Sequence, residues 1–419
     1  MTGFGKSINT IALFLGIAAA STGCSQTGTM QSMIDDHTGT GPVLVPEEYG
    51  LVEQHLIEID PNHQKIHLRR VYSLASFDAT EKSTYLKNVT RMTEYKGAYE
   101  ADCPDVSPDG KSIVYQLMGE NGRINLWTML ANTGVKAVPK THGAGLNFFP
   151  SYASGGARII FCSNRGDPSG NIWALGTGGG LRPVTDSPES DMWAHEDPIA
   201  QSTVAFTRYQ PGDPRGEIWV FDRNSYVATQ LREGRQPRIS PDGKKIAFSA
   251  FDPRKGGHWN IWVMNLDGSR PRQLTRNKAD NVTPSWHPSG DWIIFASNKG
   301  TASATLRNLN AEIRLHNFDI WMTDVKGEHP AQLTVNGSDD RNPVCAPDGK
   351  TFYFSSNRGL ALDGSDQDLQ ASRRRVRTVT IGGAQYPVAS GRDIWRAELS
   401  GEFLSKTIGS SRSRHAIAR

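Results

Sequence analysis

Short apolar runs separated by polar turn residues recur along most of the chain. Three of them carry nearly the same twelve residues, VSPDGKSIVYQL (Val106–Leu117), ISPDGKKIAFSA (Ile239–Ala250) and CAPDGKTFYFSS (Cys345–Ser356). Each reads as a short strand, a Pro-Asp-Gly turn and a second strand, because Asp-Gly readily supplies the positive φ that a tight hairpin needs. The pattern therefore predicts one β-hairpin that is repeated along the chain.

Six copies emerge when the chain is aligned on a proline just before this hairpin, spaced by 46, 48, 39, 47 and 59 residues. The prolines are Pro104, Pro150, Pro198, Pro237, Pro284 and Pro343. Later in each copy a tryptophan follows Ile or Leu, and several copies close with a stretch such as QLT. These tryptophans are Trp127, Trp173, Trp219, Trp262, Trp321 and Trp395. Four strand signals in a unit of this length are typical of one blade of a β-propeller.

A single four-stranded antiparallel blade has two apolar faces and cannot bury them alone. Packing blades face to face around an axis buries both faces and leaves only short edges. The sequence therefore predicts an all-β fold, a six-bladed β-propeller of four-stranded antiparallel blades. If residues 43–94 form a degenerate blade, the ring has seven blades instead.

The segments outside the repeats suggest a domain plan with five parts. Residues 1–23 are a predicted signal peptide, 24–42 a polar tether, 95–407 the propeller and 408–419 a basic C-terminal tail. Residues 43–94 contain a predicted hairpin that turns at Asp60-Pro61-Asn62. They end in VTRMTE (Val89–Glu94), which stands where a blade's closing strand stands elsewhere and is predicted to close the ring. Phe403–Ile408 competes for that place.

The N-terminal segment has the features of a bacterial export signal. Lys6 precedes an apolar run, Ile11–Ala20, that is short for a membrane span and is followed by small residues. The sequence around Cys24 resembles the lipoprotein cleavage box, which implies that Cys24 becomes the acylated first residue. Ser25 resembles an outer-membrane sorting residue, which implies a lipid anchor in the outer membrane that faces the periplasm. The alternative is simple secretion with Cys24 unmodified.

The run PRISPDGKKIAFSA…NIWVMNLDGSRPRQLT, Pro237–Thr275, resembles the repeat of TolB-like β-propellers. The resemblance extends from Pro104 to about Thr407, and it implies a six-bladed ring in the cell envelope. TolB itself carries a sizeable α/β domain before its propeller, and the segment after Cys24 is too short for one. The chain therefore resembles the TolB-like family and not TolB proper.

Long loops are expected on one side of the ring, after the second and fourth strands of the blades. They are Lys299–Phe318 in blade five, Arg358–Arg392 in blade six and Asp186–Asp197 before blade three. Because long loops on a rigid scaffold commonly carry binding function, this side is the predicted binding face. Drift in solvent-exposed loops is the alternative.

Residues two before the six prolines are predicted to ring the channel mouth on this side, and four of the six are charged. They are Asp102, Phe148, Glu196, Arg235, Val282 and Arg341. A second group, Trp193, His195, Glu196 and Asp197, stands together in the segment DMWAHED, which we interpret as a loop. A similar loop holds Asp339, Asp340 and Arg341. Imidazole and carboxylate groups suit a polar ligand or a metal; a solvated loop with its tryptophan packed on the ring is the alternative.

Composition narrows the function. The net charge of +3 gives no sign of a nucleic-acid partner, and no G-x-S-x-G, H-E-x-x-H or phosphate-loop motif is present. An odd number of cysteines after Cys24 (Cys103, Cys162 and Cys345) excludes a complete disulfide framework, although a Cys103–Cys162 bridge stays open.

These observations predict a non-enzymatic envelope scaffold that binds a protein, or a cell-wall saccharide, through its long-loop face. It is expected to be a monomer without a cofactor. The alternative is a metal-dependent polysaccharide lyase or hydrolase at the channel mouth, with a divalent metal in the channel and His195 among its ligands.

Overall fold

Thirty β-strands and very little helix make up the part of the chain described by a computed structural model. That part comprises residues 49–60, 65–76, 80–95, 99–143, 145–255, 257–300, 305–308, 311–314, 317–360, 376–381 and 384–405. The predicted leader, Cys24, the tether and the basic tail lie outside these residues. Within them, no helix has the length and apolar character needed to cross a membrane.

Three strands precede the repeats. A long antiparallel hairpin is formed by β1 (Tyr49–Asp60) and β2 (Lys65–Ser76), which pair along their whole length. The third strand is β3 (Leu86–Arg91), and it pairs with none of the other N-terminal strands.

The first three blades follow the repeat order, each with its strands listed from the channel outwards. Blade one is β4 (Glu100–Val106), β5 (Ser112–Met118), β6 (Ile124–Leu130) and β7 (Val138–Pro139). Blade two is β8 (Asn147–Tyr152), β9 (Arg158–Ser163), β10 (Asn171–Gly176) and β11 (Leu181–Pro183). Blade three is β12 (Ser190–Glu196), β13 (Thr203–Tyr209), β14 (Glu217–Asp222) and β15 (Val227–Glu233).

Blades five and six carry inserted hairpins. Blade four is β16 (Arg235–Ile239), β17 (Lys245–Asp252), β18 (His258–Asn265) and β19 (Arg272–Gln273). Blade five is β20 (Asn281–Trp286), β21 (Trp292–Ser297), β24 (Asp319–Asp324) and β25 (Ala331–Gln332), with the insert β22 (Thr305–Asn308) and β23 (Ala311–Arg314). Blade six is β26 (Asp340–Cys345), β27 (Thr351–Ser356), β30 (Asp393–Leu399) and β3, with the insert β28 (Val376–Ile381) and β29 (Ala384–Ser390).

The ring closes through β3, which supplies the outer strand of blade six although it precedes blade one in the chain. It pairs antiparallel with β30, and Lys87 stands opposite Glu398. Just beyond β3, Met92 N–H donates to the carbonyl oxygen of Ile394 at 2.8 Å. Residues 401–403 form a short helical turn after β30, so they do not take this place. The fold is therefore a six-bladed propeller of four-stranded antiparallel blades, as predicted.

Each of the six interfaces between neighbouring blades contains a cluster of buried apolar side chains. Between blades one and two, for example, Val114 and Leu126 pack against Ile159 and Phe161. The repeat tryptophans border these clusters, and five of them lie beneath a cationic side chain. Because no blade can bury its faces alone, these six interfaces are the core of the protein.

Every innermost strand contains a β-bulge in which one residue has positive φ. These residues are Cys103, Phe149, Trp193, Gln236, Thr283 and Asn342. A proline follows the bulge residue in five blades, and Ala194 follows it in blade three. The alignment on Pro198 was therefore wrong, because Pro198 lies beyond the end of β12. The interpretation of Asp186–Asp197 as a long loop was wrong for the same reason, since most of it is the inner strand.

The N-terminal hairpin belongs to a separate six-stranded sheet in the order β22-β23-β2-β1-β29-β28. The inserts of blades five and six flank it, β23 pairing parallel with β2 and β29 parallel with β1. This sheet is assembled from three distant parts of the chain and is not a four-stranded unit of the ring. The alternative of a seventh blade is therefore wrong.

Candidate functional site

A chamber of about 760 Å³ lies between the N-terminal hairpin and the mouth of the channel. Residues 55–59 and Arg69 of the hairpin form part of its wall. The inner strands of the blades contribute the opposite wall, with side chains that include Asp102, Arg235 and Arg341. The predicted binding face is therefore covered by the protein's own N-terminal segment, and a ligand on this face would lie beneath that cover.

Near its turn, the hairpin packs an apolar face against the ring. Ile57 and Ile59 of β1 stand opposite Leu68 and Ile66 of β2, so the four side chains share a face. They pack against the apolar cluster between blades two and three. Because successive side chains of a strand point to opposite faces, the polar residue between the two isoleucines, Glu58, lies on the other face of the hairpin.

Hydrogen bonds fix the other end of the hairpin to blade six and blade one. The backbone N–H of His55 donates to both carboxylate oxygens of Glu100, at 3.0 and 3.3 Å. Gly391 N–H donates to the carbonyl oxygen of Glu53 at 2.9 Å. The side-chain amide of Asn357 donates to Ser73 Oγ at 3.1 Å. The cover is thus attached through both apolar packing and buried polar contacts.

The floor of the chamber is the ring of bulge residues, where the channel narrows. Phe149 and Trp193 stack there with ring centroids 3.6 Å apart and 15° between their planes. Side chains of adjacent blades hold the bulge backbones in place: Phe149 N–H donates to Gln116 Oε1 at 2.9 Å, and Thr283 N–H donates to Gln236 Oε1 at 3.0 Å. These two contacts fix the floor, because a side-chain acceptor from the neighbouring blade satisfies a buried backbone donor.

Three arginines reach the chamber from different elements. The guanidinium of Arg235 lies over the Trp259 ring at 3.5 Å, and that of Arg341 lies over Phe318 at 3.9 Å. Arg392, which directly precedes β30, is 2% exposed and donates to Gln54 Oε1 and Asp339 Oδ2. These contacts orient planar cations toward one space, a geometry that suits an anionic group.

The carboxylates near the chamber are already engaged. Asp102 accepts hydrogen bonds from Asn342 Nδ2 and from the backbone N–H of Cys103, both at 2.7 Å. Asp339 is buried, and both of its carboxylate oxygens accept from Arg341 Nε at 2.9 Å. Burial alone would raise the pKa of Asp339, but the guanidiniums of Arg341 and Arg392 outweigh it and hold this pKa well below its usual range.

Of the residues that the sequence proposed for the binding face, Asp102, Trp193, Arg235 and Arg341 line the chamber. Asp339 stands behind Arg341 as its ion-pair partner. Asp340 is fully buried and pairs with Arg358, away from the chamber lining. The structure therefore divides these residues into four that face the chamber and others that support its walls.

His195 does not lie in a loop; it is part of β12. Its Nδ1 accepts a hydrogen bond from the backbone N–H of Ile239 in blade four at 3.2 Å. Burial lowers the pKa of His195 to about 3, with a smaller contribution from Arg238. A neutral ring at a blade interface is a structural arrangement, and His195 is not among the residues that line the chamber.

Glu196 and Asp197 also have structural roles, since both accept hydrogen bonds from other residues of the propeller. Glu196 is 2% exposed and accepts hydrogen bonds from Arg158 at 2.8 Å and from Arg223 at 3.0 Å. Asp197 Oδ1 accepts from the backbone N–H groups of Ile199 and Ala200, which shapes the turn after β12. His195 and Glu196 were the residues suggested for a metal site, and the structure does not bring them to the channel mouth.

Sequence reasoning missed the contribution of the hairpin and of Arg392. The alternation in HLIEI (residues 55–59) identifies a strand with one apolar face, but it does not say which surface that face covers. Arg392 stands two residues after the end of an inserted strand, where nothing in the sequence distinguishes it from a solvated loop arginine. Both contributions depend on contacts between segments far apart in the chain.

The three cysteines in the described residues are free thiols. Burial raises the pKa of Cys103 and of Cys162 well above its usual value. Cys103 is a bulge residue at the narrowing of the channel, and Cys162 lies in the cluster between blades two and three. Cys103 and Cys162 therefore do not form the disulfide bridge that the sequence left open.

Six antiparallel blades closed around a channel define the chain as a six-bladed β-propeller protein. Residues 198–311 match the family model described as PD40, the TolB beta propeller domain. Over these residues the chain therefore resembles TolB-like β-propellers, as its repeats predict.

Proteins similar to this chain include a peptidase and proteins named TolB. The uncharacterized peptidase YuxL of Bacillus subtilis strain 168 is 25% identical over 204 residues, or 46% of this chain and 29% of that protein. The Tol-Pal system protein TolB of Francisella tularensis subsp. mediasiatica is 26% identical over 231 residues, or 53% of this chain and 51% of TolB. The solved structure of a putative TolB from Agrobacterium tumefaciens covers 72% of this chain and 95% of its own, with a TM-score of 0.49 and 18% identity. The chain thus spans about half of that TolB and less of the peptidase.

Proposed function

We propose that this protein is a non-enzymatic scaffold of the bacterial cell envelope that binds a segment of a partner protein. The segment enters the chamber between the N-terminal hairpin and the mouth of the channel. The proposal includes no cofactor and no nucleic acid. It treats the protein as a monomer, anchored in the outer membrane through a lipid on Cys24 and facing the periplasm.

The chamber is the observation that carries the proposal. Its volume of about 760 Å³ is within the range of sites that bind small ligands or short peptide segments. Its floor is rigid, and its walls combine aromatic surfaces such as Trp259 with charged groups such as Arg235. Concave sites of this kind, with few and fixed polar groups, are typical of selective binding.

The envelope location rests on the leader and on the family. The segment before Cys24 has the charge and apolar run of an export signal. The relative from Francisella tularensis is named as a Tol-Pal system protein, which supports a protein partner for the present ring. In this proposal the polar tether after Cys24 connects the anchor to the propeller.

A capture experiment with a blocked chamber tests the function. Leu56 lines the chamber, so Leu56→Trp is expected to reduce its free volume. The matched control is Val227→Trp, which adds the same indole to the outer strand of blade three, where Val227 is 53% exposed. The mature chain with Cys24→Ser is immobilised and incubated with detergent-solubilised envelopes, and the bound proteins are quantified by mass spectrometry.

We expect wild type and Val227→Trp to retain the same partner, and Leu56→Trp to retain about tenfold less of it. Equal capture by both variants would place the partner's site outside the chamber. A ring that retains no protein and instead turns over a cell-wall glycan would show that the protein is an enzyme.

A further inference from the structure

The hydrogen-bonding groups around the chamber are unevenly satisfied. Arg235 extends from the start of β16 with its guanidinium stacked on Trp259. Its Nε is buried and has no hydrogen-bond partner among the described residues. Arg235 is half-buried, and burial lowers the pKa of its guanidinium. A buried donor on a cation is costly when no acceptor pairs with it.

The neighbouring arginines increase this excess of donors. Nη1 of Arg392 is also buried without a hydrogen-bond partner among the described residues. Arg341 uses Nε for Asp339, and its positive charge disfavours the charge of Arg235. Since Arg392 has the same effect on Arg341, the three guanidiniums lie within electrostatic range of one another. Aromatic rings and buried carboxylates hold these like charges together: Asp339 pairs with Arg341 and Arg392, and Glu100 lies 3.7 Å from Arg392 Nε.

Two carboxylates that attract Arg235, those of Asp280 and Glu58, are hydrogen-bonded or ion-paired to other groups. Asp280 accepts from the backbone N–H of Trp259 at 3.0 Å and pairs with His258. Glu58 forms an ion pair with Arg69 across the hairpin. Both carboxylates attract Arg235 at longer range, yet neither is hydrogen-bonded to it in the described part of the chain. Buried guanidinium donors of Arg235 and Arg392 are therefore left without a hydrogen-bond partner in the described part of the chain.

We propose that Arg235, Arg341 and Arg392 form a carboxylate-binding site in the chamber, and that the partner segment presents a carboxylate to it. The inference rests on the proposed function, whose partner it specifies further. Guanidinium groups bind carboxylates through paired, charge-assisted hydrogen bonds. The Trp259 and Phe318 rings provide the apolar surface that would contact the group carrying the carboxylate.

The first test uses simple probes on the full chain. Benzoate carries a carboxylate on an aromatic ring, and benzamide is its neutral analogue of the same shape. Binding is measured by calorimetry and by the shift of the thermal midpoint, with inorganic phosphate as a third probe. We expect saturable binding of benzoate, with affinity for benzamide and phosphate lower by about tenfold or more.

Variants then assign the binding to the site. Arg235→Gln removes the charge and is expected to weaken benzoate binding about tenfold, whereas Arg235→Lys keeps the charge without the planar fork and is expected to lie between. Arg254→Gln is the matched control, because Arg254 is an exposed arginine of the same blade whose side chain is 77% accessible. Near-UV circular dichroism verifies that each variant is folded. Unchanged benzoate binding by folded Arg235→Gln, or none by wild type, would overturn the site.

The source of the carboxylate is separated with peptides. Acetyl-Ala-Ala-Phe with a free C-terminus is compared with its C-terminal amide and with acetyl-Glu-amide. Tighter binding of the free acid identifies a chain end, and tighter binding of acetyl-Glu-amide identifies an acidic side chain; either result supports the site. Failure of both peptides to bind better than the neutral amide contradicts it.

The inference and the proposed function can fail separately. If Arg235→Gln captures the envelope partner as well as wild type does, the scaffold function stands and the carboxylate site is wrong. If benzoate binds as expected but no partner is retained, the site stands and the scaffold function is wrong.

Discussion

Replacing Arg358 with methionine is expected to lower the free energy of unfolding by about 3–5 kcal/mol. Arg358 is fully buried and pairs with Asp340, which is also fully buried, and with Glu81 at 3.3 Å. Methionine would fill much of the space but would leave Asp340 without its cation. Breaking a buried pair from one side is costly because the remaining charge is uncompensated.

Equilibrium unfolding in urea, followed by tryptophan fluorescence, measures this loss. The matched control is Arg215→Met, since Arg215 forms exposed ion pairs with Asp213 at 2.9 Å and with Glu233 at 3.3 Å. Exposed pairs contribute about 0–1 kcal/mol, so this variant should unfold close to wild type. If both variants lose the same stability, Arg358 is not part of a buried ion pair.

Acidification is expected to destabilise the ring through His195, by about 2–3 kcal/mol between about pH 7 and pH 4.5. Burial lowers the pKa of His195 in the folded protein to about 3, whereas an unfolded histidine titrates near about 6.5. Below that value the unfolded chain takes up a proton that the folded ring does not bind. The stability is therefore fully present above the unfolded pKa and is lost as the pH falls toward the folded pKa.

The comparison with His195→Gln isolates this one group, because a glutamine oxygen can still accept from the backbone N–H of Ile239. Stability curves of wild type and variant should converge or cross as the pH is lowered, with a difference in slope of about 1.4 kcal/mol per pH unit. His142→Gln, which replaces an exposed histidine, controls for the simple loss of a titrating ring. Parallel curves for wild type and His195→Gln would contradict a neutral His195 at the interface of blades three and four.

The repeats could be recognised from the sequence because their signals are local. An Asp-Gly turn, two short apolar strands and a later tryptophan occur within a few tens of residues of one another. A hairpin depends mainly on its own turn and on alternation, so these letters are sufficient to predict it. Closure by an N-terminal strand was also predictable, because VTRMTE resembles the last strand of other repeats.

Blade three shows where this reasoning fails. Its bulge residue, Trp193, adopts φ of 57° and is followed by Ala194, so the proline that marks other blades is absent. The nearest proline is Pro198, four residues too late. Alignment on Pro198 therefore led to the wrong prediction that Glu196 lies at the channel mouth. Trp193 stacks on Phe149 of blade two, a contact between blades that the local sequence pattern does not contain.

The chamber could not be predicted from local signals. It forms only when β1 and β2 lie against the ring between inserts that come from blades five and six. Parallel pairing of β1 with β29 joins residues more than three hundred positions apart. Such non-local contacts have no sequence signature in a single chain, although the charged residues Asp102, Arg235 and Arg341 could be placed near the mouth.

Ring closure by the N-terminal strand is the claim on which the chamber and its function depend, and a designed disulfide tests it most directly. Lys87 and Glu398 are cross-strand partners in β3 and β30, and opposed residues of antiparallel strands have Cα atoms about 4.5–5.5 Å apart, within the range of disulfides. The variant Lys87→Cys/Glu398→Cys is oxidised in a Cys24→Ser background and run on a non-reducing gel. The control pairs Lys87→Cys with Arg272→Cys on the outer strand of blade four.

We predict that the first pair forms a disulfide and migrates faster than its reduced form, while the control pair and each single variant do not. If the first pair stays reduced in folded protein, or if the control pair oxidises equally well, β3 does not close blade six.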